Sequence, residues 1–405
     1  MRQDGQRQQT PLDFLPEAMV DEMLQEYTVN VLSKVNSYLL SLENIKKEIR
    51  ELLINEDLLR SCGEIIHYRL DPTVCGVDGS YAISRQVSLD VVGVAAVAVE
   101  GLPPHEKREW EKPHHIVKIF PVEHKSKTSI LASGLMFSYE LELASKAPHN
   151  VVFIDGSLTT HLIKTGMAFS ALDERDVPKL LNYAYKERAE KTLESYLKVI
   201  TSKKSDQIFA GVPKYSSRNE ICNHLAKVRP ELLKTINMAE YNDKALLSLI
   251  LKPDEVVGPI KLHKEEKEEG RWHLSGQSKI ERIIGKERSE NYVNQIIEAL
   301  EKLYVLYYRP SFSQPALRIE IPESVARNEY RLAMVIKALQ DQAKFPGIIE
   351  PYPLYIADLF VKHLGGALSQ IKEMTLSDLG ALNISVNPFD IILSMHEYRS
   401  VGGYE

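Results

Sequence analysis

Two Asp-Gly-Ser segments, Asp78–Ser80 and Asp155–Ser157, each follow a short apolar run, and this arrangement constrains the fold more than any other feature. TVCGVDGSYA reads as a first strand that ends at its Asp-Gly pair. QVSLDVVGVAAVAVEG, rich in Val and bounded by Gly101 and Pro103, reads as a second, buried strand. HHIVKIFPVEH alternates around Ile116, Val117 and Ile119 and reads as a third. KTSILASGLMFSYELELASKAPHN has the length and apolar density of a helix, with Thr128 or Ser129 as its cap and Pro148 and Asn150 at its end. VVFIDGSL is then a compact strand with Asp155 at its carboxyl end. Three successive strands with short connections predict an antiparallel meander.

Strand, strand, strand, helix, strand is the order of a ribonuclease-H-like sheet, in which the first strand and the strand after the helix lie side by side. The predicted class is α/β, a ribonuclease-H-like mixed sheet core with added helices. Asp78 and Asp155 then meet at one edge, and Glu140 or Glu142 of the intervening helix can join them. Phe137, Leu141 and Ala144 share one helix face and Met136, Glu140 and Leu143 the next. That sets Glu140 beside the packed side and favours it over Glu142. Two divalent ions about 3.5–4 Å apart can activate water and stabilise the leaving oxygen of a phosphodiester. Hard ions such as Mn²⁺ and Mg²⁺ prefer carboxylate oxygen, and clustered carboxylates repel one another without a cation. Glycine after each aspartate leaves room for a phosphate backbone. A single Asp-Gly after a strand is ordinarily a turn; two at this spacing point to a site.

The formal net charge of −6 does not advertise nucleic-acid binding, but a local basic groove suffices for it. With 44% hydrophobic and 26% charged residues, the chain reads as globular rather than disordered. Cys62, Cys75 and Cys222 form no CxxC pair, which argues against structural zinc and suits a reducing cytoplasm. The opening MRQDGQRQQTPLDFLPEAM lacks the apolar run of a signal peptide, and the longest apolar stretch, Val91 to Val99, is too short to span a bilayer. The expectation is a cytoplasmic protein without a membrane segment.

The first dozen residues are polar and expected to be disordered. From Pro16 to Cys62 the pattern is helical, with Met19, Met23, Tyr27 and Val31 in one stripe, and reads as a packing or dimerisation arm. The chain is expected to be mainly helical beyond Gly166, with an amphipathic stretch from Asp173 to Ser202. QIFAGVPKYSS reads as a strand running into a polar turn, followed by helices at Asn219–Leu233 and Asp243–Leu251. HKEEKEEGRWHLSG reads as a loop or hairpin tip. Glu290–Leu300 reads as a helix, LYVLYYRP and PALRIEIP as strands, and Ser324–Gln342, Tyr355–Gly365 and Ala367–Met374 as helices. With no clear linker, one elaborated domain is the preferred partition.

Several of these segments resemble the NurA family of nucleases. The resemblance runs from VDGS at 77–80 and FIDGSL at 153–158 through GVPKYSSR at 211–218, NDKALLSLIL at 242–251 and LRIEIP at 317–322 to PYPLYIADLF at 351–360. It implies a core akin to the nuclease domain of Argonaute proteins and Mn²⁺-dependent cutting of DNA, as a 5′-to-3′ exonuclease and a single-strand endonuclease. It also implies a homodimer docked on a HerA-type hexameric ATPase in the resection of broken DNA ends. No Walker-type GxxxxGK[ST] stands in the chain, so a motor would be a separate protein. Under this resemblance residues 1–15 are a disordered tail, 16–70 a helical arm and 71–405 the nuclease domain with helical insertions. Asp78 and Asp155 match the family's metal-binding aspartates and Glu140 its helical glutamate. Tyr352 and Asp358 match the late motif, with Asp358 standing where relatives carry histidine. It can ligate a metal through oxygen but cannot act as an imidazole; His363 is a weak substitute.

Lys214 and Arg218, in the turn of GVPKYSSR, are candidates for holding the scissile phosphate or the DNA backbone, with Lys203 and Lys204 extending a basic strip. Either could instead be an ordinary solvated turn residue. The tyrosines of LYVLYYRP are either base-stacking platforms or core. A nuclease used in defence against foreign DNA, rather than in end resection, is equally open, and two other functions are compatible with the sequence. One is a catalytically weak subunit that binds DNA or a HerA-type ring. The other is a phosphate-binding sugar kinase or ATPase, for which no glycine-rich loop stands out.

Overall fold

The computed structural model describes residues 11–43, 46–102, 108–204, 206–216, 218–231, 242–262, 272–377 and 387–397. Nine strands in these residues form one mixed sheet: β1 (Leu59–Ser61), β2 (Val74–Arg85), β3 (Asp90–Glu100), β4 (His114–Val122), β5 (Val151–Asp155), β6 (Ile208–Val212), β7 (Glu255–Lys261), β8 (Leu303–Arg309) and β9 (Leu317–Pro322). Their order is β1-β7-β8-β9-β6-β5-β2-β3-β4. The segment β4-β3-β2-β5-β6 is the ribonuclease-H-like core: β3 runs antiparallel to β2 and β4, while β5 is parallel to β2 and β6 to β5. Beyond β6 the sheet is extended by antiparallel pairs through β9, β8, β7 and β1.

Alternation along each strand divides the core into two layers. Val152 and Ile154 of β5 pack with Leu131 and Leu135 of the Thr128–Lys146 helix. Val151 and Phe153 face the other way, towards Ile336 and Leu354. The helices Leu158–Ala171 and Ala189–Thr201 pack on Thr128–Lys146, and Tyr352–Lys362 lies across β2 and β3.

Several expectations are corrected. Pro11–Phe14, within the stretch expected to be disordered, is a turn of 3-10 helix, while residues 1–10 lie outside those described. The arm is helical over Glu17–Glu26, Ser33–Glu43 and Lys46–Asn55, but Leu59–Ser61 leaves it to pair with β7 as an edge strand. Met19, Met23, Tyr27 and Val31, the stripe of an arm read as packing or dimerising, are exposed in the single chain. The helix after β5 begins at Leu158, earlier than expected, because Ser157 caps it by accepting from Thr159 N. Lys127, not Thr128 or Ser129, is the cap residue of the next helix upstream; Thr128 is its first residue and donates its hydroxyl to Lys125 O at 2.8 Å. β7 was not expected, since Gly258 and Pro259 interrupt its apolar run and its ladder shifts register there. Residues 263–271, most of the segment read as a charged loop, lie outside those described.

Candidate metal centre

The β2–β5 register pairs Val77 with Ile154, so the next residues along, Asp78 and Asp155, come side by side. Asp155 ends β5, but β2 continues past Asp78 to Arg85 because β3 goes on pairing with it. Asp78 is therefore inside its strand, not at the end where the sequence put it. By alternation both aspartates face the layer of the Tyr352–Lys362 helix. That helix lies flat on β2: a Cβ on Gly76 would meet Leu354 N and Pro353 C at 2.5 Å. It delivers Asp358, and carboxylate oxygens of Asp78, Asp155 and Asp358 all lie within 4.8 Å of one another.

Lys214, just beyond β6, reaches into this trio. Its Nζ lies 2.9 Å from Asp358 Oδ1 and 3.4 Å from Asp155 Oδ2. A further carboxylate, Glu350, stands 3.3 Å from the same nitrogen. Lys362 also pairs with Asp358. Burial pushes the Asp78 carboxyl well above its ordinary range, and Asp155 and Glu140 push it further. Burial likewise raises Asp155 and Glu350, against the opposing pull of Lys214. Burial would raise Asp358 too, but hydrogen bonds from Lys362 and Lys214 hold it below the usual range. Burial depresses Lys214, and Asp155, Glu350 and Asp358 outweigh that, so its ammonium is held above the ordinary lysine value.

Glu140 approaches from the opposite layer. A Cβ on Gly79 would meet Glu140 Oε1 at 2.8 Å, so the space that glycine leaves is filled by this carboxylate and not by a phosphate backbone. His161, fully buried on the next helix, holds Glu140 Oε2 through Nε2 at 3.1 Å, and its Nδ1 lies 3.2 Å from Ser157 O. Burial raises the Glu140 carboxyl, with Asp155 adding to the rise and His161 opposing it. Glu140 thus senses the aspartates but is not one of the three that lie within 4.8 Å of one another. Glu142 points elsewhere and is bound by Lys146, Arg188 and Lys191 at 2.5–2.6 Å. Burial works against its charge, but these three cations hold its carboxyl at about 2.

Tyr352 opens its helix with its ring tilted against Phe345 at 5.4 Å. His363 caps the end of the same helix and is exposed. Arg218 is held by its backbone, its carbonyl accepting from Asp243 N. Lys203 and Lys204 precede β6, at the opposite end of that strand from Lys214, which follows it. They line a separate cavity of about 260 Å³ with Lys198, Gln207 and Phe209. Tyr307 and Tyr308 are fully buried and bonded to Asp243 and Asp254, so neither can stack on a base.

Sequence reasoning missed Glu350, His161 and a buried network behind the second Asp-Gly turn. In that network Arg318 forks onto Glu220 at 2.7 and 2.9 Å and reaches Glu320, which accepts from Ser157 Oγ and Leu158 N at 2.7 and 3.0 Å. Glu320 thereby fixes the turn after Asp155, whose Gly156 has φ +82°. The alternating LRIEIP run held a clue, since a charged pair at Arg318 and Glu320 in a central strand requires a buried partner.

The donor set suits a hard divalent cation: three acidic oxygen donors from three elements, with Asp155 Oδ1 buried and lacking a hydrogen-bond partner.

Residues 72–362 match the family described as NurA domain. No curated protein matches the chain. Among solved structures, the NurA nuclease from Sulfolobus solfataricus is 15% identical at a TM-score of 0.53, covering 91% of this chain and 99% of that one. A second NurA structure is 11% identical at a TM-score of 0.48, covering 92% and 99%. A third, solved with dAMP and manganese bound, is 14% identical at a TM-score of 0.46, covering 93% and 100%.

Proposed function

The chain belongs to the NurA family, and from that premise we propose that it is a nuclease that hydrolyses DNA phosphodiesters at a divalent-metal centre. The observation that carries this reading is the convergence of Asp78, Asp155 and Asp358 within 4.8 Å, with a buried Asp155 oxygen left without a partner. Asp78, Asp155 and Asp358 would hold Mn²⁺ or Mg²⁺, which supplies Lewis acidity and a supply of nucleophilic water at neutral pH. Glu140, oriented by His161, would add negative charge from the opposite layer and share in holding the cation. Lys214 lies where it can face the negative charge that builds on the phosphate. Tyr352, at the start of the helix that carries Asp358, would contact the substrate.

The finer reading rests on family membership. It is 5′-to-3′ exonuclease and single-strand endonuclease activity in a cytoplasmic homodimer, working with a HerA-type hexameric ATPase on broken DNA ends. Residues 71–405 are the nuclease domain and 16–70 an arm for self-association. The exposed Met23, Leu24, Tyr27, Val29 and Leu32 support that role for the arm. Among the described residues no helix is long and apolar enough to cross a membrane. A catalytically weak subunit is the second reading, favoured by the ion pairs through which Lys214 neutralises Asp155 and Asp358.

End-labelled single- and double-stranded DNA, incubated with Mn²⁺ and the chain alone or with a HerA-type partner, tests the proposal. Wild type is expected to cut, and Asp78→Asn and Asp155→Asn, checked for native folding, are expected to lose at least about a hundredfold in rate. Equal cleavage by the folded variants would remove these aspartates from the reaction, and no cleavage by wild type would favour the weak-subunit reading.

A further inference from the structure

Lys214 and a divalent cation need the same two carboxylates. The ammonium lies 2.9 Å from Asp358 and 3.4 Å from Asp155, and these are two of the three residues able to surround a metal. Carboxylate oxygens sit about 2.0–2.6 Å from Mg²⁺ or Ca²⁺, so an ion seated there would be pressed against a positive nitrogen that shares its ligands. Like charges this close in a buried site are strongly repulsive. Of the two cations the lysine is the tethered one, so relief of that repulsion falls to its side chain. Its backbone is pinned, because Lys244 Nζ donates to Lys214 O at 2.6 Å, so the movement available is rotation of the side chain. One carboxylate beside Nζ is outside the metal trio. Glu350 is buried, its Oε2 stands 3.3 Å from Nζ, and that oxygen accepts no aligned hydrogen bond. It is an acceptor with unused capacity, beside the lysine and not required by the metal.

We infer that Glu350 is a positioning residue that receives the Lys214 ammonium when a divalent cation takes Asp155 and Asp358, making Lys214 an internal cation that exchanges with the metal. This deepens the metal-centre reading and rests on it. Lys214 keeps the aspartates neutralised until the ion arrives, and Glu350 then retains the lysine at the rim of the site. Two consequences follow. Lys214 competes with metal, so its removal strengthens metal binding. Glu350 acts through Lys214, so its removal weakens metal binding only while the lysine is present.

Titration calorimetry of Mn²⁺ into the full-length chain without DNA measures both. Wild type is expected to bind Mn²⁺, and Asp155→Asn to lose that binding. Lys214→Met is expected to bind roughly tenfold more tightly than wild type, and Glu350→Gln several-fold more weakly, as for residues coupled through direct contact. The double variant Lys214→Met/Glu350→Gln is expected to match Lys214→Met within about twofold. Lys214→Gln replaces Lys214→Met if the latter unfolds the chain. An unchanged or weaker affinity on removing Lys214 overturns the exchange. A double variant weaker than Lys214→Met overturns the role of Glu350, making it a direct ligand. Wild type without Asp155-dependent Mn²⁺ binding removes the metal centre itself, and the inference with it.

Discussion

Glu140 and Glu142 stand on one helix and face different surroundings. Glu140 is tucked against Gly79 and held by His161, while Glu142 is ringed by Lys146, Arg188 and Lys191. Glu140→Gln is therefore expected to lower the rate of DNA cleavage with little loss of stability. Glu142→Gln is expected to cost about 1–3 kcal/mol of unfolding free energy, read by urea titration, with cleavage retained. The Glu142 carboxyl is held low, so its stabilisation is present above the ordinary carboxylate range and lost as pH falls towards about 2. The sequence favoured Glu140 from one helix stripe, because the packed side of a helix is visible in its periodicity. Asp358 was reached only through the family resemblance and Glu350 not at all, since contact between residues so distant in sequence is set by how the Tyr352–Lys362 helix lies on β2. His161 was equally hidden, because its helix starts at a capping Ser157 inside a run rich in threonine.

Among the elements, the placing of the Tyr352–Lys362 helix decides whether Asp358 reaches the aspartates. Its closest approach is at Gly76, where any side chain would collide with the backbone at Pro353 and Leu354. Gly76→Ala is expected to displace the helix, to destabilise the fold by about 1–3 kcal/mol and to weaken Mn²⁺ binding and cleavage together. Normal metal affinity in a folded Gly76→Ala variant would show that Asp358 is not needed. The five core strands were legible because Val-rich runs bounded by Gly and Pro leave no other reading, as in β3. β7 and β1 were not: Gly258 and Pro259 break the run of one, and the other is three residues long in a helical arm. The tyrosines of β8 were read either way; burial of Tyr307 against Asp243 and of Tyr308 against Asp254 decides those two for core, while Tyr304 is half-buried and accepts from Arg327.

For the whole molecule, the clustered acids couple stability to metal and pH. Burial raises the carboxyl values of Asp78, Glu140, Asp155 and Glu350 in the fold. The folded chain then holds protons that the unfolded chain has released, so their contribution is fully present below the ordinary carboxylate range and fades as pH rises through the raised values. Metal binds the deprotonated carboxylates and reverses the trend. The rise in melting temperature on adding Mn²⁺ is therefore expected to be larger at about pH 8 than at about pH 5, approaching a gain of about 2.7 kcal/mol when free metal is 100 times its Kd. A rise independent of pH would contradict this linkage. Self-association through the arm is tested separately: Leu24→Asp with Leu32→Asp is expected to shift the chain from dimer to monomer in sedimentation velocity. Anomalous diffraction from Mn²⁺-soaked crystals locates the cation against its ligands. The account predicts a manganese peak in contact with Asp78, Asp155 and Asp358 together; a fully soaked crystal with no peak there would contradict it.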